Sequence, residues 1–302
     1  MSMAKAKKIK YLVTGGLGFI GHHLVKQLQS QKHDVQIIDA LTSYGMHQKE
    51  ELEDLYNQRL KLININTQIY KEDVCTPEVD QVFENFKPEV VIHLADFPNA
   101  DAVANNAVEA ARTMCHGLAN ILDCAKRHKT KKFVYISTGV YEDNDNVDGT
   151  YSIWKIAGEE LVKQSGIPYV IVRPGEVFGP RNITTDLIGT WFKRAMAKEV
   201  LYTKKKDTHD FIYVDDCVRG IISAQSAENK TYNISLNKNV SVEDVANKIV
   251  NMVKTGEVRT KGSNGVVRQL DTETAIKELK FKPAVNIDQG LKLYYKWIST
   301  KK

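Results

Sequence analysis

Cysteine is scarce in this chain of 302 residues: four are present, Cys75, Cys115, Cys124 and Cys217, and no two form a CxxC pair. That scatter excludes a zinc ribbon or a disulfide framework as the organising device and leaves buried free thiols. Histidines and carboxylates do not gather at metal-ligand spacing either, so no metal is expected. Proline is low, at 7, and no low-complexity tract interrupts a composition that is 42% hydrophobic and 26% charged, which is that of a folded globular chain. Long apolar runs are missing as well. No stretch approaches the roughly 18 uncharged apolar residues of a membrane helix. The opening "MSMAKAKKIK" passes from basic residues into a short strand without the apolar core of a signal peptide, so a cytoplasmic protein with no membrane partner is expected. Arginine is the remaining shortage. The net charge of +5 rests on 42 basic residues of which nine are Arg, spread along the chain. Nucleic-acid readers concentrate Arg and aromatic residues on one face, so no nucleic-acid partner is expected.

What is present is a rhythm. Residues 9–174 alternate short β-branched runs with amphipathic stretches, the pattern of an α/β doubly wound parallel sheet covered by helices. The predicted strands are 9–15, 34–39, 68–74, 89–95, 132–138 and 168–174, several of them continuous apolar runs, as burial of both sheet faces requires. The Ala- and Asn-rich stretch 97–128 predicts one long helix. After Pro174 the segments lengthen, and two helix starts are marked by Ser241 with Asp244 and by Asn286 with Gln289. A first domain over 1–174 and a smaller mixed α/β lobe over 175–302 follow, with 208–227 expected to return to the first.

"YLVTGGLGFIGHHLVKQL" sets Gly15, Gly18 and Gly21 between a strand and a helix that opens at Phe19 and Ile20. A dinucleotide site needs small residues there, because the chain turns sharply, its backbone approaches a pyrophosphate, and the helix start then offers free N–H groups to the anion. The spacing is GxxGxxG where GxGxxG is commoner. Asp39 closes the second strand, 24 residues after Gly15, where a carboxylate accepts from ribose hydroxyls and repels a 2′-phosphate. NAD is therefore expected as cofactor rather than NADP.

"YSIWK" places Tyr151 four residues before Lys155. With 13 Tyr in the chain, roughly one such Tyr–Lys spacing arises by chance, and a second copy, Tyr202 with Lys206, does occur. Context separates them. "VTGGLGFIGHHL", "EDV", "VIHLA", "VYISTGVY", "YSIWKIAGEEL", "IVRPGEVFGPR", "HDFIYVDDCVRGI" and "KELKFKPAVNIDQGLKLYYKW", in that order, resemble the extended short-chain dehydrogenase/reductase family, the nucleotide-sugar epimerases and dehydratases. The resemblance implies a Rossmann-type fold. It implies that Asp73, Val74, Leu94, Ala95 and Pro174 join the glycine loop around NAD. It also implies that Tyr151 is the general base and acid on a sugar hydroxyl and that Lys155 holds the nicotinamide ribose. Counting back from "VY" gives Ser137 as the hydroxyl sharing the substrate oxygen, with Thr138 as the alternative.

Dehydratases of that family carry an acidic pair after the catalytic Thr; here Gly139 follows instead, which leaves an epimerase as the expected activity. The substrate implied is a nucleotide-diphosphate sugar, a UDP-sugar in the manner of UDP-glucose 4-epimerase. A dehydratase or reductase of the same family, or a non-catalytic NAD-sensing protein, are the alternatives. A homodimer built on the long helix and the catalytic helix is implied by resemblance alone. Three departures stand out. Ser137 and Tyr151 are only 14 residues apart, so "EDNDNVDG" walls the sugar pocket differently. The family Asn three residues before the Gly of the long helix is Met114, before Gly117. The Arg that binds diphosphate is His209, which is not a permanent cation. Arg181, Arg268 and the run Lys204–Lys206 are the candidates to compensate.

Overall fold

The apolar runs of the first half become the strands of one sheet. In the computed structural model, which describes residues 7–42, 49–139, 149–182 and 186–300, the chain runs β1 (Lys10–Thr14), α1 (Phe19–Ser30), β2 (Asp34–Ile38), α2 (Lys49–Leu60), β3 (Ile69–Tyr70), α3 (Val79–Phe86) and β4 (Val90–His93). It continues through α4 (Ala100–Asn105), α5 (Ala107–Ala111), α6 (Leu118–Arg127), β5 (Lys132–Ile136), α7 (Gly149–Gln164) and β6 (Tyr169–Pro174). Then follow β7 (Glu176–Phe178), α8 (Leu187–Met196), β8 (Val200–Lys205), β9 (Thr208–His209), β10 (Phe211–Tyr213), α9 (Val214–Ala224) and β11 (Lys230–Ile234). The last elements are β12 (Val240–Ser241), α10 (Val242–Val253), β13 (Glu257–Asn264), α11 (Glu273–Leu279) and α12 (Ile287–Ser299). Except for Gly149, the loop "EDNDNVDG" lies outside the described residues. No described helix is long and apolar enough to cross a membrane.

Seven strands form a sheet in the order β11-β6-β5-β4-β1-β2-β3. The registers of β3, β2, β1, β4 and β5 are all parallel, and Thr14 lies opposite both Ile38 and His93, so three strands end level. The expected α/β doubly wound architecture is thus present. Leu12, Val91, Phe133 and Ile171 from four strands and Phe83 and Ile121 from α3 and α6 are wholly buried in one cluster. Each such side chain contributes about 1.5–3 kcal/mol by leaving water.

Two elements differ from their sequence expectation. The strand over 68–74 shrinks to Ile69–Tyr70, because the Asp73 carboxylate accepts from the Cys75 N–H at 2.8 Å and turns the chain out of the sheet. The helix over 97–128 is broken. Asn106 leaves helical geometry (φ −140°, ψ 47°) while its Nδ2 donates to the Ala102 carbonyl, and residues Arg112–Gly117 widen into a π-helical turn. Both expected helix starts are present: Ser241 accepts from Asp244 N–H, and Asn286 with Gln289 forms a full capping box.

The chain divides into two compact units, the first Met1–Ser137, Asp148–Ile171 and Ala227–Lys230, the second Thr138–Val147, Val172–Ser226 and Thr231–Lys302. The segment 208–227, which the sequence assigns back to the first domain, lies within the second unit as far as Ser226. Inside the second unit, β7 pairs with β10, β9 with β12 and β8 with β13. Phe192 stacks on Tyr294 with ring centroids 5.1 Å apart, and the Tyr294 hydroxyl donates to the Asn182 carbonyl.

Asp186 caps α8 through Oδ1, which accepts from Gly189 N–H, while its buried Oδ2 has no hydrogen-bond partner among the described residues. Burial, with Glu176 adding, pushes this carboxyl up to about 7 against the helix-start N–H groups. The folded protein then holds a proton that the unfolded chain releases near 3.8, so stability falls as pH rises from about 4 to about 7. Asp186→Asn keeps the cap. It is expected to raise the melting temperature at neutral pH and leave it unchanged near pH 4, as followed by scanning calorimetry.

Candidate functional site

The level strand ends carry the site, and its first component is a cradle without side chains. After β1 the chain turns at Gly15, in the left-handed region at φ +66°, where an added Cβ would stand 2.7 Å from the Ala95 nitrogen. Gly15 thereby packs backbone to backbone against Leu94 and Ala95, which brings three of the expected cofactor residues together. Gly15 N–H donates to the Ile38 carbonyl at 2.8 Å and Gly18 N–H to the Gly15 carbonyl at 3.0 Å. A Cβ on Gly21 would collide with the Gly15 carbonyl oxygen, so α1 enters against bare backbone. No side chain caps α1 and its first turn holds no acidic residue, so the N–H groups at Phe19, Ile20 and Gly21 keep their full pull on an anion.

Asp39 follows β2 and is buried, its Oδ2 accepting from Leu17 N–H at 2.8 Å and its Oδ1 from Leu41 N–H at 2.9 Å. Burial raises its pKa, opposed by those two bonds and by the Arg59 guanidinium. Arg59 arrives on α2 and donates to the Leu17 carbonyl at 2.7 Å. It was not evident from the sequence, although Leu55 and Arg59, four residues apart in a charged helix, are that helix's two buried positions. Asp73 turns β3 outward and pairs with Arg112 at 2.8 Å. Burial works to raise its pKa, but the Cys75 N–H and Arg112 outweigh it and hold the carboxyl below its ordinary range. Val74 beside it is buried against Gly117.

The second component is a buried ammonium. Tyr151 and Lys155 lie one helical turn apart on α7, and Lys155 Nζ stands 5.8 Å from the Tyr151 ring centroid. Lys155 donates to the Ile136 carbonyl at 2.8 Å, sits 5.4 Å over the Tyr135 ring, and makes a 2.8 Å ion pair with Asp96. The two paired side chains are 5% and 8% exposed. Burial presses the ammonium toward neutrality; Asp96, Tyr151 and Glu159 reverse this and leave its pKa above the ordinary value. Nearby, His93 Nδ1 meets Thr14 Oγ1 at 2.8 Å. Burial, then the Lys155 charge, push the imidazole down to about 3, so it is neutral. Asp96, His93 and Thr14 were missed from the sequence, where a single carboxylate after "HLA" carries no spacing signal.

Ser137 and Thr138, both buried, follow directly on the Ile136 that holds Lys155; Ser137 falls in the first unit and Thr138 in the second. Tyr151 and Trp154 pack against Phe97, Ala102, Val103, Ala110 and Met114. Met114 therefore gives apolar support at the position of the expected Asn, and the π-helical turn lies at that support. The other Tyr–Lys spacing does nothing comparable. Tyr202 is exposed on β8, and its ring lies under Lys261 at 4.0 Å.

In the second unit, His209 hydrogen-bonds Glu176 through Nδ1, and its Nε2 lies 3.5 Å from both Asp207 and Arg268 Nη1. The sequence singled out His209 and Arg268, and they are neighbours; Glu176 was not foreseen. Arg181 sits at φ +65°, its guanidinium pKa lowered by burial against the pull of Tyr213 and Asp215. Lys204, Lys205 and Lys206 are exposed. The Pro174 carbonyl accepts from Gly139 N–H at 3.0 Å, and a Cβ on Gly139 would collide with Leu270. Among the described residues no group of His, Cys, Asp and Glu is arranged to hold a metal.

Residues 11–235 match the sequence model of the NAD dependent epimerase/dehydratase family. The chain is 28% identical over 274 residues to a dTDP-D-glucose 4,6-dehydratase of Dictyostelium discoideum, covering 80% of this chain and 62% of that one. It is 28% identical over 313 residues to a putative UDP-glucose 4-epimerase of Methanocaldococcus jannaschii, covering 95% and 97%. Its fold superposes at TM-score 0.84 on a UDP-glucuronic acid 4-epimerase of Bacillus cereus crystallised with UDP-glucuronic acid and NAD, at 24% identity over 97% of this chain and 100% of that one.

Gly15→Ala adds a methyl group where backbone lies and where L-residues are strained. Isothermal titration is expected to show NAD binding weakened by about tenfold or more, with helix content unchanged by circular dichroism.

Proposed function

This chain belongs to the NAD-dependent epimerase/dehydratase family, and from that premise we propose that it epimerises a nucleotide-diphosphate sugar, a UDP-sugar, through a keto-sugar intermediate. The bare cradle at Gly15, Gly18 and Gly21 suits a pyrophosphate, and in this reading Asp39 receives ribose hydroxyls, while its charge disfavours a 2′-phosphate. In this reading Asp73, Val74, Leu94 and Ala95 belong to the cofactor site of the first unit, and Pro174 is a further candidate in the second. NAD, held there, would supply the hydride acceptor and donor.

The observation that carries this reading is the buried Lys155 ammonium beside the Tyr151 ring. A phenol of ordinary pKa near 10 is only about one part in a thousand ionised at neutral pH. A neighbouring cation in a water-poor site stabilises the phenolate and makes it a usable base. Tyr151 then takes the proton of the sugar hydroxyl as the carbon–hydrogen bond gives up its electron pair and the carbonyl forms. Ser137 or Thr138 steadies the substrate oxygen. On return, hydride adds to the opposite face of the carbonyl and Tyr151 restores the proton. In the second unit, Arg268 supplies the permanent cation for a diphosphate beside His209, with Arg181 a further candidate.

Epimerisation is favoured over elimination by Gly139. The position after Thr138 carries no carboxylate, and Leu270 fills the space a side chain would need. Tyr151→Phe is expected to lower interconversion of UDP-glucose and UDP-galactose by about a thousandfold while NAD binding survives. Loss of both, or of neither, contradicts the assignment; an inert wild type that binds NAD fits a sensor instead.

A homodimer through α5, α6 and α7 belongs to the same reading. Val108 on α5 and Ile153 and Leu161 on α7 are exposed apolar residues, at 85%, 50% and 39%, and Ile153 and Leu161 share a helix face. Ile153→Asp is expected to convert a dimer to monomers in light scattering.

A further inference from the structure

We propose that Asp96 is a positioning residue of this site, one that keeps the buried Lys155 ammonium charged and so makes the Tyr151 phenolate possible. The inference rests on the Tyr151 and Lys155 roles given above and adds a residue to them.

Lys155 is surrounded from three sides. From the end of β4 come Asp96 and His93; from β5 the Ile136 carbonyl and the Tyr135 ring; from α7 itself Tyr151 and Glu159. These partners are unequal. The Ile136 carbonyl accepts a hydrogen bond from an amine as well as from an ammonium. His93 is neutral. Glu159 pulls less strongly than Asp96. Asp96 is a carboxylate in direct contact, at 2.8 Å, and it is locked in place because its other oxygen accepts from Phe97 N–H at 2.8 Å.

A Tyr–Lys pair that has given up one proton can share the remaining one in two ways. Either the ammonium faces a phenolate, or a neutral amine faces a phenol. In a site where the lysine is 5% exposed, desolvation favours the second, which is chemically idle. A fixed carboxylate on the amine reverses the preference, since removing the ammonium proton would leave Asp96 as an uncompensated buried charge. Asp96 thus selects the ammonium–phenolate arrangement by acting on the lysine it touches.

The test is the ultraviolet titration of the Tyr151 phenolate, taken as the difference between each protein and the same protein carrying Tyr151→Phe, with and without NAD. Asp96→Asn is expected to raise the midpoint by about one pH unit or more. Asp96→Glu, which keeps the charge, is expected to restore it. In parallel, kcat on UDP-galactose falls by about tenfold or more in Asp96→Asn with KM unchanged, and the alkaline limb of its pH profile moves to lower pH. Should Asp96→Asn fail to fold, Asp96→Ala, with room for a water, carries the same expectation. A midpoint that stays in place, or moves down, in a folded neutral variant overturns the role of Asp96. Full activity of Tyr151→Phe would instead defeat the catalytic reading, whatever the titration shows.

Discussion

A charged amine with almost no access to water is the constraint around which the first unit is arranged. Lys155 needs a carbonyl, an aromatic face and a carboxylate within reach, and these come from Ile136 and Tyr135 on β5 and from Asp96 in the loop after β4. Only strands ending level can deliver them, which the parallel register of β4 and β5 provides. Burial first, and then the charge of Lys155, keep His93 neutral. One proton-bearing cation beside one phenol is the simplest arrangement that makes a base of tyrosine.

Around the glycine loop the logic is inverted, and removal of side chains shapes the turn. Gly15, Gly18 and Gly21 strip the first turn to backbone, and the start of α1 presents uncapped N–H groups. Asp39 stands at the other end with its carboxylate tied to Leu17 and Leu41. Arg59 buttresses this loop through the Leu17 carbonyl and offsets part of the Asp39 charge.

In the second unit His209 is tied to a carboxylate, with a guanidinium alongside. Here the sequence shows that something differs at His209 but not what it is bonded to. Glu176 lies 33 residues away, and no spacing rule links them. Asp96 was illegible for the same reason. By contrast, the caps at Ser241 and Asn286 were readable because both partners lie within one turn. The broken helix over 97–128 marks the opposite failure. Its composition favours a helix throughout, but the packing of Gly117 on Val74 and the side-chain bond of Asn106 locally outweigh propensity.

By itself the sequence determined the alternation that makes the sheet, the glycine turn, the Asp closing β2 and the helical pitch that sets Tyr151 beside Lys155. All of these are local: periodicity, backbone freedom and i,i+4 spacing act over a few residues. Tertiary structure alone decided which of two Tyr–Lys spacings is buried, that Asp96 pairs with Lys155, and that Met114 serves as apolar support under Tyr151. Those outcomes depend on desolvation and on charges brought together from distant parts of the chain, and neither exists until the chain has closed around them.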